Sequence, residues 1–223
     1  MTKNQKDYWE HHITNWEKSA YEGSRAGSLI EKVAFYFRGH IVYRKNACKG
    51  VVLPLVKGKN VLEIGCGSGT LLIEMAREGA PKKLIGWEIS SEATRAGNAA
   101  IEKEGLQKSC RIECKDIDQS LAEIPAFEIV YGLGILEYLE KKTVRELFKN
   151  LKDASFFFQY HRRYLSLKNL LHLVYRTIKQ IPIYNQYSRA EIIAVIEAAG
   201  IPANEIQFMA DHGNDFVYRI LKK

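Results

Sequence analysis

Three glycines within five residues, Gly65, Gly67 and Gly69, follow the apolar run Val61-Leu62-Glu63-Ile64 and precede Thr70-Leu71-Leu72-Ile73. An apolar strand that breaks into a glycine turn and re-enters as a helix aims backbone N–H groups at a ligand. Gly65 permits the tight turn, and Gly67 lets the ligand lie against bare backbone, with Cys66 as a small residue between them. A dinucleotide fingerprint needs its third glycine where Thr70 stands, whereas here it arrives one residue early, at Gly69. A phosphate-binding NTPase loop is excluded because no Lys-Ser/Thr pair follows the glycines.

Three further segments extend the pattern. KLIGWEI (83–89) ends on Glu88-Ile89, and a carboxylate at that point of a second strand can accept both hydroxyls of a ribose. Lys115-Asp116-Ile117 sets an acid beside an apolar residue, which suits an adenine amino group and ring face. EIVYGLGILEYL (128–139) leaves its strand through Gly132 and Gly134, where backbone can approach a ligand closely. Four strand ends taken in order outline one adenosine-shaped site.

The elements that must position these residues alternate. NVLEI (60–64), KLIGWEI (83–89), CRIEC (110–114), EIVYGL (128–133), SFFFQY (155–160) and FVYRIL (216–221) read as strands. Helical periodicity fills 70–79, 91–105, 142–151 and 189–200, with Ser90 or Ser91 as a cap and Gly105 and Gly200 as stops. Repeated β-α alternation predicts an α/β, doubly wound, mostly parallel sheet. The division expected is an N-terminal helical cap over 1–56 and a core over 57–223, interrupted by a basic insertion at 161–187. In that insertion Leu167, Leu170, Leu171, Val174 and Ile178 form one apolar helix face.

With 46% hydrophobic and 26% charged residues the chain is an ordinary globular domain, neither disordered nor fibrous. No stretch is long and apolar enough to span a membrane, and the polar MTKNQKDYWEHH start points to the cytoplasm. Four cysteines suit that compartment as free thiols. Alternation predicts Cys110, Ile112 and Cys114 on one buried face, and without a CxxC pair or a nearby His no metal site is expected. The net charge of +7 concentrates in two segments, residues 1–60 and 154–190, each carrying +6. Such a distribution favours an anionic acceptor over the sheet edge, or RNA.

Taken together, VLEIGCGSGT, Glu88, Asp116-Ile117 and EIVYGLGILEYL resemble the motifs of the class I S-adenosylmethionine-dependent methyltransferases. The resemblance covers roughly residues 57–160, and YSRAEIIAVIEAAG with NDFVYRI resembles the family's closing helix and last strand. It implies a Rossmann-like seven-stranded sheet, order 3-2-1-4-5-7-6, with FVYRIL as the antiparallel last strand. It also implies S-adenosyl-L-methionine as cofactor, held by Glu63, Gly65, Cys66, Gly67, Glu88, Ile89, Asp116, Ile117 and Gly132. Where many members carry His in the fourth motif this chain has Glu137-Tyr138-Leu139, and it lacks the Asn/Asp-Pro-Pro-Tyr/Phe sequence of base N-methylating members.

The function expected is methyl transfer to a small acceptor, anionic or lipid-like. An RNA methyltransferase and a non-catalytic methyltransferase-like binding subunit are the alternatives. Candidate bases are His161, Tyr160 and Glu137, and Arg162 and Arg163 are candidate substrate contacts. His11, His12 and His40 could face the cleft, whereas His172 and His212 are expected to lie away from it.

Overall fold

The computed structural model describes residues 9–10, 42–163 and 185–221. Its centre is a seven-stranded sheet of order β3-β2-β1-β4-β5-β7-β6. The strands are β1 (Asn60–Ile64), β2 (Lys83–Glu88), β3 (Cys110–Cys114), β4 (Ile129–Gly132), β5 (Ser155–Tyr160), β6 (Gln207–Asp211) and β7 (Asn214–Arg219). The first five run parallel, and β7 lies antiparallel between β5 and β6. This is the doubly wound Rossmann-like sheet expected from the sequence. The resemblance implied seven strands in this order, but the residues of β6 were not located in the sequence, and β7 starts at Asn214, two residues ahead of FVYRIL.

Helices cover both faces because the central strands are apolar on both. Leu62, Ile64, Val130, Phe156 and Phe158 pack against Val144, Leu147 and Phe148 of α5 (Lys141–Lys149) and Ile192 and Ile196 of α6 (Arg189–Ala198). Val61, Leu84, Tyr131 and Phe157 face Leu71, Leu72 and Met75 of α2 (Thr70–Gly79), with Cys48 and Val52 of α1 (42–52) behind. Such two-sided burial explains why these strands read as near-continuous apolar runs.

Local signals set the helix ends. The Ser90 hydroxyl accepts from the Ala93 N–H at 3.2 Å and opens α3 (Ser91–Lys103). Ser188 and Glu191 form a reciprocal capping box on α6. The outer strand β3 is shielded by Asn98, whose amide donates to the Ile112 carbonyl at 2.8 Å while its oxygen accepts from the Ile112 N–H at 2.9 Å.

Cys110 and Ile112 are buried as the alternation requires, but Cys114 is exposed, which corrects the expected buried face. Alternation fixes the side a residue points to; it does not extend the helix layer to the strand's last residue. The Cys114 thiol instead lies 3.6 Å from the Ile89 carbonyl.

Of the expected cap over 1–56, the described part is Trp9, Glu10 and residues 42–56. α1 docks on α2 through Lys45–Glu74 at 2.6 Å and through Lys49 to Glu74 at 3.2 Å and Glu78 at 2.7 Å. His11, His12, His40, His172 and the stripe Leu167, Leu170, Leu171, Val174 and Ile178 lie outside the described residues. No helix among the described residues is long and apolar enough to cross a membrane.

Candidate active site

The carboxyl ends of β1, β2, β3 and β4 converge on a groove made of two adjoining hollows of about 140 and 80 Å³. Gly65, Gly134, Trp9 and Tyr138 border both. The larger is completed by Glu63, Cys66, Gly67, Thr70, Glu137, Arg44 and Lys45. The smaller is completed by Trp87, Glu88, Ile89, Lys115, Ile117 and Ile135.

Gly65 and Gly67 take φ of +70° and +57°, a left-handed conformation that costs a side-chain-bearing residue steric strain. The turn they make is pinned by Glu88. That carboxylate is buried and accepts the Gly67 N–H at 2.9 Å, the Ile89 N–H at 2.9 Å and the Ser90 N–H at 3.0 Å. A carboxylate offers about four acceptor positions. Accepting both hydroxyls of a ribose therefore requires at least one backbone donor to move, and the Gly67 amide belongs to the loop beside the groove.

Glu63 sits beside Tyr131 across the β1–β4 ladder and accepts its hydroxyl at 3.0 Å. Burial first, and the Glu63 carboxylate second, push the Tyr131 and Cys48 ionisations well up, and Cys110 to about 12. These groups stay neutral.

In the smaller hollow Trp87 is fully buried, with its indole N–H without a partner among the described residues. Phe127 meets the ring edge-on at 6.1 Å between centroids, and the Lys115 ammonium stands 5.2 Å from its centre. Ile117 lines this hollow. Asp116 caps the short helix α4 (Ile117–Ser120), accepting the Asp118 N–H at 3.1 Å, and its side chain is not part of the lining. Gly132 lies beneath the groove, where a Cβ would stand 3.0 Å from the Ile64 carbonyl and 2.8 Å from Ile135.

A roof comes from the N-terminal segment. Trp9 meets Tyr138 edge-on at 5.0 Å, and Glu10 accepts from the Ser91 N–H at 2.8 Å and from the Ser91 hydroxyl. The two hollows together fall short of the roughly 300 Å³ typical of small ligand clefts.

Of the candidate bases, only Glu137 lines the groove. Tyr160 is buried in the core against Phe208, its ionisation raised by burial. His161 lends its carbonyl to the Tyr187 N–H at 2.9 Å, which with Arg163 N–H to Tyr187 O at 3.0 Å ties together the two ends of the 161–187 excursion. Arg162 pairs with Asp215 at 3.6 Å and Arg163 with Glu191 at 3.0 Å, so both guanidiniums are held by carboxylates of β7 and α6. The sequence reading missed Trp9, Arg44, Lys45, Trp87, Lys115 and Tyr138. Trp87, Lys115 and Tyr138 stood inside or beside the motifs that were read, whereas Trp9, Arg44 and Lys45 carried no such signal.

Comparison with known proteins places this architecture. Residues 61–154 match the sequence profile of a family described as a methyltransferase domain. The chain is 29% identical over 110 residues, 48% of its length, to a sterol 4-C-methyltransferase of Caenorhabditis elegans. It is 29% identical over 114 residues, again 48% of its length, to sphingolipid C9-methyltransferase 2 of Gibberella zeae. These matches span only 32% and 22% of the relatives' own lengths. Magnesium protoporphyrin IX methyltransferase from Synechocystis PCC 6803, a structure with bound SAH, superposes with a TM-score of 0.62 at 15% identity, covering 96% of this chain and 98% of that one. Residues 61–154 thus match a methyltransferase domain, and the chain shares its fold with the superposed methyltransferase structure.

Proposed function

We propose that the protein transfers a methyl group from S-adenosylmethionine to a small acceptor, lipid-like or anionic. The observation that carries this reading is the convergence of the glycine turn, Glu88 and Ile117 on one groove at the carboxyl edge of the sheet. The residues fit the cofactor. Glu88 can exchange the Gly67 amide for ribose hydroxyls, and Ile89, Ile117 and Trp87 offer apolar faces to an adenine. Glu63, Gly65, Cys66 and Gly67 border the end where the amino-acid portion would lie, and Gly132 keeps the floor clear. Bound there, S-adenosylmethionine supplies a methyl group already activated on a sulfonium. The protein's part is to orient the acceptor and to exclude water.

A lipid-like acceptor is supported by the sterol and sphingolipid enzymes among the relatives. An anionic one is supported by Arg44, which borders the hollow beside Lys45, itself held by Glu74 at 2.6 Å. Arg162 and Arg163 would contribute only by releasing Asp215 and Glu191. The four free cysteines suit a reducing compartment, and we place the protein in the cytoplasm.

The test is radiolabelled cofactor with a fractionated cell extract. Label entering a small metabolite or lipid fraction supports the proposal. Label that appears only in RNA and vanishes with RNase contradicts it.

A further inference from the structure

The larger hollow contains one acid that the cofactor assignment leaves unused. Glu137, in the turn after β4, is 6% exposed, and its Oε2 has no hydrogen-bond partner among the described residues. A buried carboxylate oxygen without a donor is costly unless a ligand supplies one. Its neighbours restrict what that ligand is. A Cβ on Gly134 would lie 2.9 Å from the Arg44 guanidinium and 3.6 Å from Glu137 Oε1, so bare backbone separates the two charges. Tyr187, also buried with an unpartnered hydroxyl, lies within electrostatic reach of Glu137.

Resting on the methyltransferase reading above, the geometry points to Glu137 as the proton acceptor for a hydroxyl group methylated on oxygen. As the acceptor oxygen bonds the methyl carbon, the sulfur–carbon bond breaks with its electron pair left on sulfur. The hydroxyl proton passes to the Glu137 carboxylate. His161 and Tyr160 do not border the hollow.

The electrostatics agree with that role. Burial pushes Glu137 up to about 7, against its own backbone N–H and the Arg44 charge, which pull it back. Tyr187 is pushed up to about 12 by burial and then by Glu137 and Glu191, so it stays a neutral hydroxyl. A base poised near neutrality takes a proton effectively there.

The experiment uses the full chain, wild type beside Glu137→Gln and Glu137→Asp. Without cofactor, carbon-13 NMR of labelled glutamates should show one carboxyl titrating near pH 7, absent from Glu137→Gln. With radiolabelled S-adenosylmethionine and the responsive extract fraction, Glu137→Gln should bind cofactor within about twofold of wild type yet transfer methyl at least about 100-fold more slowly. Glu137→Asp should keep the pH profile at a reduced rate. If Glu137→Gln fails to fold, the wild-type single-turnover rate decides, and it should rise through one ionisation near 7 and then level. A flat profile, a Glu137→Gln rate equal to wild type, no glutamate titrating near 7, or a product methylated on carbon overturns the inference. If wild type binds cofactor but labels nothing, the broader reading fails and this inference falls with it.

Discussion

Replacing Glu137 by Gln should stabilise the cofactor-free protein in mild alkali and do much less in acid. The unfolded carboxyl loses its proton near the usual 4.5, the folded one only near 7. Between those values the folded state holds a proton that the unfolded chain has released, so stability falls as pH rises, by up to about 1.4 kcal/mol per pH unit. Above 7 both states are ionised and the wild type carries the whole cost of a buried carboxylate, about 3 kcal/mol. Gln keeps the shape and carries no charge. Urea unfolding at about pH 8 and about pH 5 should show the variant's advantage shrinking from about 3 kcal/mol to under about 1. At the higher pH this corresponds to a rise of roughly 6 to 12 °C in melting temperature. An advantage that is constant with pH, or a variant less stable than wild type at pH 8, would refute the reasoning, because it would mean that partners already satisfy the charge.

Other perturbations separate structure from binding. Glu88→Ala removes the acceptor of three backbone N–H groups as well as the proposed ribose contact, so cofactor affinity should fall at least about tenfold and the fold should also weaken. Calorimetry showing unchanged affinity would remove the ribose assignment. Gly67→Val forces a branched side chain into φ +57°, at about 1 to 3 kcal/mol of strain, and should abolish cofactor binding in a protein whose circular dichroism is retained. Gly97→Ala places a Cβ 2.3 Å from Ile112 Cδ1 and 2.7 Å from the Ser68 carbonyl of the glycine loop. A loss of about 1 to 3 kcal/mol in urea unfolding is expected, and an unchanged midpoint would show that α3 can back away freely.

The glycine turn, Glu88 and the first five strands were legible because each rests on a local pattern, whereas their order in the sheet came only from the family resemblance. Apolar runs broken by glycine, acids at strand ends and capped helices need no knowledge of distant residues. The residues of β6 were not located because it is an edge strand of mixed exposure whose sequence, QFMAD, neither alternates nor forms an apolar run. The roof and the acceptor side were illegible for a different reason. Trp9 reaches Tyr138, Arg44 reaches Gln159 at 3.5 Å, and Asn185 donates through its backbone to Glu137 O at 2.7 Å, all across large sequence separations. Charge counting marked Arg162 and Arg163 as a basic loop but could not show that Asp215 and Glu191 fold back to meet them. Glu137 was one of three candidate bases in the sequence, and only the fold separates it from the other two by its place on the groove.

The most direct test of the cofactor site is a calorimetric titration of the full chain with S-adenosylhomocysteine, S-adenosylmethionine and NAD in turn, repeated with Gly67→Val. One-site binding of both adenosyl-sulfur compounds, no heat from NAD and loss of binding in the variant are expected. Binding of NAD in place of S-adenosylhomocysteine, or equal binding by the folded variant, would contradict the assignment of this groove to a methyl donor.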